Sequence, residues 1–133
     1  MKEPIWLDRV DCIAIHEFML AQHGGLGGVR DPGLLESALA RPRRLFEYGS
    51  PTLARIAGSY AAGVIQNHPF NDGNMRTGFM LAAAFLELNG VTIAADEEQA
   101  FRKTLALAAG EIDEGAYANW LSTVSAPRRA NRN

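Results

Sequence analysis

The segment from Asn74 to Asn89 constrains this chain most. Phe79, Met80, Leu81, Phe85, Leu86 and Leu88 make it apolar nearly all round, and Gly90 stands where a glycine ends a helix. A helix with no polar face is normally buried, so this segment is expected to be the core helix. The run from Thr52 to Asn67 is helical by periodicity and rich in small residues, namely Ala54, Ala57, Gly58, Ser59, Ala61, Ala62 and Gly63. Small residues let neighbouring backbones approach closely, which predicts a central position for this helix as well.

Shorter amphipathic segments surround the two. Apolar residues recur at helical spacing from Leu7 to Ala21, with Asp8 placed to cap the start. A glycine-dense loop, Gly24 to Arg30, ends that helix, and no regular element is expected to persist in it. Asp31-Pro32 reads as an N-cap followed by a proline in the first turn, opening a short helix through Leu39 that is expected to stop before Pro42. Tyr48 to Pro51 is a turn by composition, and Arg41, Arg43 and Arg44 read as a solvated basic corner. Val91-Thr92-Ile93 is a short extended piece. Asp96-Glu97-Glu98 caps a helix running to about Ala109, and a last helix spans Glu114 to Val124. No repeat or linker divides the chain. The expectation is an all-α fold of about six helices, one domain over residues 1–126, with residues 127–133 fraying as a tail.

Composition removes several function classes. At 133 residues, 47% hydrophobic and 21% charged, the chain has the balance of one globular domain. A formal charge of -2 and the absence of a Lys/Arg face on any predicted helix give no attraction to nucleic acid. The N-terminal residues lack the apolar core of a secretory signal, and no apolar run reaches the roughly 20 residues of a membrane span, so a cytoplasmic location is expected. The single cysteine, Cys12, lies in an apolar helical stretch and reads as a buried small hydrophobe. His16 and His23 are seven apart on the first helix, but no third ligand has spacing with them, and structural zinc needs four.

One segment carries chemistry: His68-Pro69-Phe70-Asn71-Asp72-Gly73-Asn74-Met75-Arg76. His68 closes the small-residue helix and Asn74 opens the buried one, with a tight loop between them. The free N–H groups at a helix start, backed by the positive end of the helix dipole, form a ready site for phosphate, and Gly73 allows close backbone approach. Asp72 supplies the hard carboxylate oxygen that Mg²⁺ prefers beside nucleotide phosphates, and Arg76 supplies a fork of donors. Asn74 can donate to a phosphate oxygen or accept from a nearby amide. An imidazole such as His68 can take a proton from an attacking hydroxyl near neutral pH. Taken singly, each residue has an ordinary use as a cap or a turn. Their order across one helix start is what points to phosphate handling.

In this segment the sequence resembles the Fic/Doc family, specifically its short Doc branch. The Fic pattern His-Pro-Phe-x-(Asp/Glu)-Gly-Asn-x-Arg is matched by His68, Pro69, Phe70, Asp72, Gly73, Asn74 and Arg76. Upstream, His23-Gly24-Gly25-Leu26 and Arg30-Asp31-Pro32-Gly33-Leu34-Leu35-Glu36 resemble the Gly-Gly-Leu and Asp-Pro-Gly segment of Doc proteins, and the likeness extends over Leu7 to Leu121. The resemblance implies a single-domain Fic fold and a transferase that uses ATP and Mg²⁺. In the Doc branch the terminal phosphate goes to a threonine of elongation factor Tu and halts translation; in the Fic branch AMP goes to a protein hydroxyl. A non-catalytic module binding nucleotide or a partner through the same fold is the third alternative.

By position, the resemblance makes His68 the general base, Asp72 the Mg²⁺ ligand, and Gly73, Asn74 and Arg76 the phosphate clamp. Doc proteins have a lysine between the Asn and the Arg, where this chain has Met75, so the resemblance also implies a site short of one cation. Some Fic proteins carry a self-inhibiting (Ser/Thr)-x-x-x-Glu-(Gly/Asn) helix. The nearest approach here, Gly110 to Gly115, has Gly110 in place of the hydroxyl residue. A separate Phd-type antitoxin is therefore the expected partner, its C-terminal segment folding onto an apolar groove.

Overall fold

Burial of the small-residue run organises the structure. The computed structural model describes residues 2–128, and its helix α3 (Leu53–Asn67) is buried without interruption from Ile56 to Ile65. Around it lie α1 (Arg9–His23), α2 (Pro32–Glu47), α4 (Asn74–Leu88), α5 (Glu97–Ala108) and α6 (Glu114–Thr123). The neighbours come close because side chains are missing where they cross. A Cβ on Gly63 would sit 3.2 Å from Ala38 of α2, and one on Gly58 would sit 3.1 Å from Ala118 of α6. The all-α architecture with six helices among the described residues agrees with the expectation from periodicity.

The crossing of α3 and α4 is the tightest. A Cβ on Gly78 would lie 2.8 Å from Cγ1 of Ile65 and 3.1 Å from the carbonyl oxygen of Ala61. Ile65 is buried and β-branched, and the carbonyl belongs to helix backbone, so neither can yield cheaply. Gly78→Val is expected to lower unfolding free energy by about 2–3 kcal/mol through overpacking, since glycine and valine differ little in helix propensity beside that term. Urea unfolding of parent and variant measures it, and a loss below about 0.5 kcal/mol would show that the two helices part without cost.

Local capping follows the sequence. Asp8 and Asp11 form a reciprocal capping box on α1, and Asp31, Thr52, Asp96 and Asp113 each accept from the backbone N–H three residues on. The N-terminal segment is tied down by two buried or half-buried partners. The Tyr60 hydroxyl accepts from Leu7 N–H at 3.0 Å and donates to Leu7 O at 3.1 Å, and the Asn89 amide spans the N–H and carbonyl of Ile5. Burial pushes the Tyr60 phenol and the Cys12 thiol each up to about 12, so both stay neutral at physiological pH, and Cys12 is the inert core residue its sequence context predicts.

Three expectations need correction. Helix α2 does not stop before Pro42 but runs through it to Glu47. Pro42 leaves the Ala38 carbonyl without a helical donor. Packing on both sides of the proline overrides that loss: Ala38 and Pro42 are buried, while beyond them Phe46 meets Trp6 edge-on at 5.7 Å and the Arg43 guanidinium stacks over the same indole at 5.0 Å. The basic corner needs correction in part: Arg43 and Arg44 are exposed as expected, but the corner is not free of contacts, since Arg43 lies over Trp6 and Arg41 is ion-paired with Glu114 of α6.

The tail is the third correction. β1 (Val91–Ile93) pairs antiparallel with β2 (Ser125–Pro127), placing Val91 opposite Pro127, and Arg128 N–H donates to the Gly90 carbonyl at 2.8 Å. Pro127 and Arg128 thus belong to the fold, and the fraying expected of 129–133 lies outside the described residues. Among the described residues no helix is long and apolar enough to cross a membrane.

Candidate functional site

Helix α3 ends in a strained residue. His68 is its C-cap at φ 49° and ψ 55°, a left-handed conformation uncommon outside glycine and worth on the order of 1 kcal/mol of strain. Its N–H still reaches the Val64 carbonyl at 3.1 Å. Arg30 holds the turn from outside, with Nε donating to His68 O at 2.8 Å and Nη2 to Asn67 O at 3.1 Å. A guanidinium on the last carbonyls of a helix is also favoured by the helix dipole. The His68 side chain is left exposed at the surface.

The glycine-dense loop is laid along the motif. Pro69 O accepts from Arg30 N–H at 2.7 Å and Asp31 N–H at 3.1 Å, Asn71 N–H donates to Gly28 O at 3.1 Å, and Val29 and Phe70 form an antiparallel bridge. The Asn71 side chain adds a bond to Gly27 O at 3.0 Å. A loop read as irregular therefore has one ordered edge.

Inside the turn, Phe70 is buried and Asn74 grips it at both ends. Asn74 Oδ1 accepts from Phe70 N–H and Nδ2 donates to Phe70 O, each at 3.1 Å. Of the two uses open to Asn74, accepting from a nearby amide is the one the geometry displays. Beneath lies His16 of α1, stacked on the Phe70 ring with centroids 3.8 Å apart and its Nε2 2.8 Å from the Asp72 carbonyl.

Asp72 is exposed. Its Oδ1 accepts from Gly73 N–H at 2.9 Å and its Oδ2 from Leu26 N–H at 3.3 Å. Gly25 must be glycine for this contact: it sits at φ 124°, and a Cβ there would fall 2.8 Å from Asp72 Oδ2. Gly73 follows at φ 76° as the N-cap of α4, and the first helical bond runs from Thr77 N–H to Gly73 O at 3.0 Å. The N–H groups of Asn74, Met75 and Arg76 precede that bond and have no partner within the helix.

The start of α4 differs from the other helix starts among the described residues in its cap: Asp8, Asp31, Thr52, Asp96 and Asp113 each place a side-chain acceptor on the first turn, whereas Gly73 offers none. Like α2 and α3, α4 has no acidic residue in its first turn. It has exposed Arg76 and half-buried Met75 instead, and among the described residues no ion pair engages Arg76. Free amides, a helix dipole and a guanidinium on one turn complement an anion. An open cavity of about 410 Å³ lies elsewhere, lined by Arg41, Arg44, Leu45, Tyr48, Ser59 and Glu114, and it holds none of the motif residues.

The residues that sequence reasoning left out are Arg30, Asn71 and His16. The first two stand inside the motif segments, Arg30 before Asp31-Pro32 and Asn71 at the variable motif position, but they act through backbone carbonyls, which residue identity does not reveal. His16 did leave one: with Cys12 and Met19 it shares the buried face of α1, and a histidine on such a face needs a polar partner.

Comparison with known proteins agrees with this frame. The Fic/DOC family model matches residues 6–86. Over 112 residues the chain is 34% identical to a protein named Protein kinase doc from Escherichia phage P1, covering 84% of this chain and 88% of that protein. Over 94 residues it is 39% identical to Toxin Doc of Mycolicibacterium smegmatis, covering 68% of this chain and 69% of that protein. A family match over more than half of the chain, and a relative of such identity over most of it, lead to one conclusion: the chain belongs to the Fic/DOC family.

Proposed function

We propose that this chain is a Doc-type toxin that transfers the terminal phosphate of ATP to a hydroxyl of a translation protein, elongation factor Tu being the expected acceptor, and that Met75 slows the reaction. The observation carrying this reading is the start of α4, where a glycine N-cap leaves the first amides without a side-chain acceptor, no acidic residue stands in the first turn, and Arg76 is exposed beside the exposed Asp72 carboxylate. The relative named a protein kinase supports phosphate as the transferred group.

The residues fit magnesium as a nucleotide-borne ion. Mg²⁺ beside phosphates is typically held by one or two carboxylates, and Asp72 offers one at the surface, with Gly73 N–H on one oxygen and Leu26 N–H on the other. The bound ion supplies charge neutralisation on the phosphate oxygens. The chain does the rest by position. The amides of Asn74, Met75 and Arg76 and the Arg76 fork hold phosphate oxygens, with Gly73 allowing close approach, and His68, exposed at the end of α3, accepts the proton of the attacking hydroxyl. Such a reaction belongs in the cytoplasm, involves no membrane and no direct nucleic acid contact, and needs restraint by a partner. The residue nearest to an internal inhibitory glutamate, Glu114, is paired with Arg41, so a Phd-type antitoxin is the proposed source of control.

Incubating elongation factor Tu with the Met75→Lys variant and radiolabelled ATP is expected to move label from the γ position. Label moving from the α position instead would assign AMP transfer. Mg-ATP binding without turnover on any protein would assign a non-catalytic module.

A further inference from the structure

The ring of His16 lies under the motif loop without being part of the motif. It is 2% exposed, parallel to Phe70 within 7°, and its Nε2 is 2.8 Å from the Asp72 carbonyl oxygen. A carbonyl only accepts, so Nε2 carries the proton and donates it. The other edge of the same peptide unit is also held, by the bond from Gly73 N–H to Asp72 Oδ1.

A trans peptide has its C=O and N–H on opposite edges. A carbonyl drawn inward to a buried ring therefore turns the Gly73 N–H outward, to the side of the exposed carboxylate. Because Gly73 is a glycine at φ 76°, the preceding peptide can rotate at little steric cost. The rotated form would present an oxygen, not an N–H, to an anion.

We infer that His16 is a positioning residue: its Nε2–H, donated to the Asp72 carbonyl, locks the Asp72–Gly73 peptide with the N–H outward, and so orients the Asp72 carboxylate and the first amides of α4 for Mg-ATP. The inference rests on the reading of this loop as a phosphate site. Stacking on Phe70 asks only for a flat ring, whereas the Asp72 carbonyl asks for a donor.

His16→Gln and His16→Met separate the two, because the side chains match in length and flexibility and only glutamine donates. By calorimetry on the full chain, His16→Gln is expected to bind Mg-ATP within about threefold of the parent and His16→Met roughly tenfold or more weakly. The Gly73 amide resonance is expected to shift on adding Mg-ATP in the parent and in His16→Gln, and to stay unmoved in His16→Met. Equal affinities for the two variants would overturn the inference and leave His16 a packing residue. Should His16→Met fail to fold, judged by its circular dichroism, His16→Gln decides alone: parent-like binding supports the donor role, and a loss of roughly tenfold overturns it. A parent that binds no Mg-ATP fails at the phosphate reading and takes the inference with it, an outcome distinct from a parent that binds and is indifferent to residue 16.

Discussion

Met75→Lys is expected to raise phosphate transfer by roughly tenfold or more, because one preorganised charged donor in a transition-state site is worth on the order of 3 kcal/mol, up to a hundredfold to thousandfold in rate. Met75 is the second residue of α4, half-buried beside the free amides, and its thioether is at best a weak acceptor. Lysine there would act as a point charge on a bound nucleotide. The fold should tolerate it: the two residues are similar in length and helix propensity, and a cation at a helix N-terminus costs only about 0.3–1 kcal/mol. The melting temperature should fall by no more than a few degrees, and added Mg-ATP should recover more than that loss. Steady-state transfer of γ-phosphate by both forms is the measurement. Equal rates would show that a cation at residue 75 has no weight in this chain, and the explanation of its absence would be withdrawn.

How far the sequence reaches can be judged at particular residues. Helices α3 and α4 were legible because their signals are dense and local: ten successive buried residues in α3 are mostly small, and α4 is apolar between a glycine N-cap and the Asn89-Gly90 stop. The glycine-capped start of α4 after the motif turn was legible for the same reason, since every residue of it is contiguous. Pro42 was misread because a proline rule is local, while the packing of Ala38 on Gly63 and of Phe46 and Arg43 on Trp6 is not. The pairing of Val91 with Pro127 joins segments 36 residues apart, 127 minus 91; the first reads as an extended piece, but Ser125–Pro127 has too few side chains to register as its partner strand. The proposed site divides along the same line. Its candidates His68, Asp72 and Arg76 could be named from their order, whereas the contacts around them, Arg30 on the α3 carbonyls and His16 under Asp72, come from other helices and loops and run through backbone atoms that residue order does not record.

Asn74→Ala is expected to destabilise the whole domain as well as the loop. Both ends of the Asn74 amide are engaged by the backbone of buried Phe70, and alanine leaves an N–H and a carbonyl there without a partner. Each unsatisfied buried group costs about 1–3 kcal/mol, so the variant should lose on the order of 3 kcal/mol of unfolding free energy. Phe70 also carries the stack with His16 and the bridge to Val29, so loosening its backbone loosens the Asp72 turn and the glycine loop together. His68→Ala is the contrast: its ring is exposed, and removing it should abolish transfer while leaving the denaturation midpoint near that of the parent. Urea unfolding and Mg-ATP calorimetry on both variants resolve the two roles. If Asn74→Ala kept the parent's midpoint and lost only nucleotide affinity, its side chain would be acting on phosphate directly, and its pairing with Phe70 would be incidental to stability. The expected pattern is the reverse of His68→Ala: a large loss of stability, with nucleotide affinity falling only as far as the loop gives way.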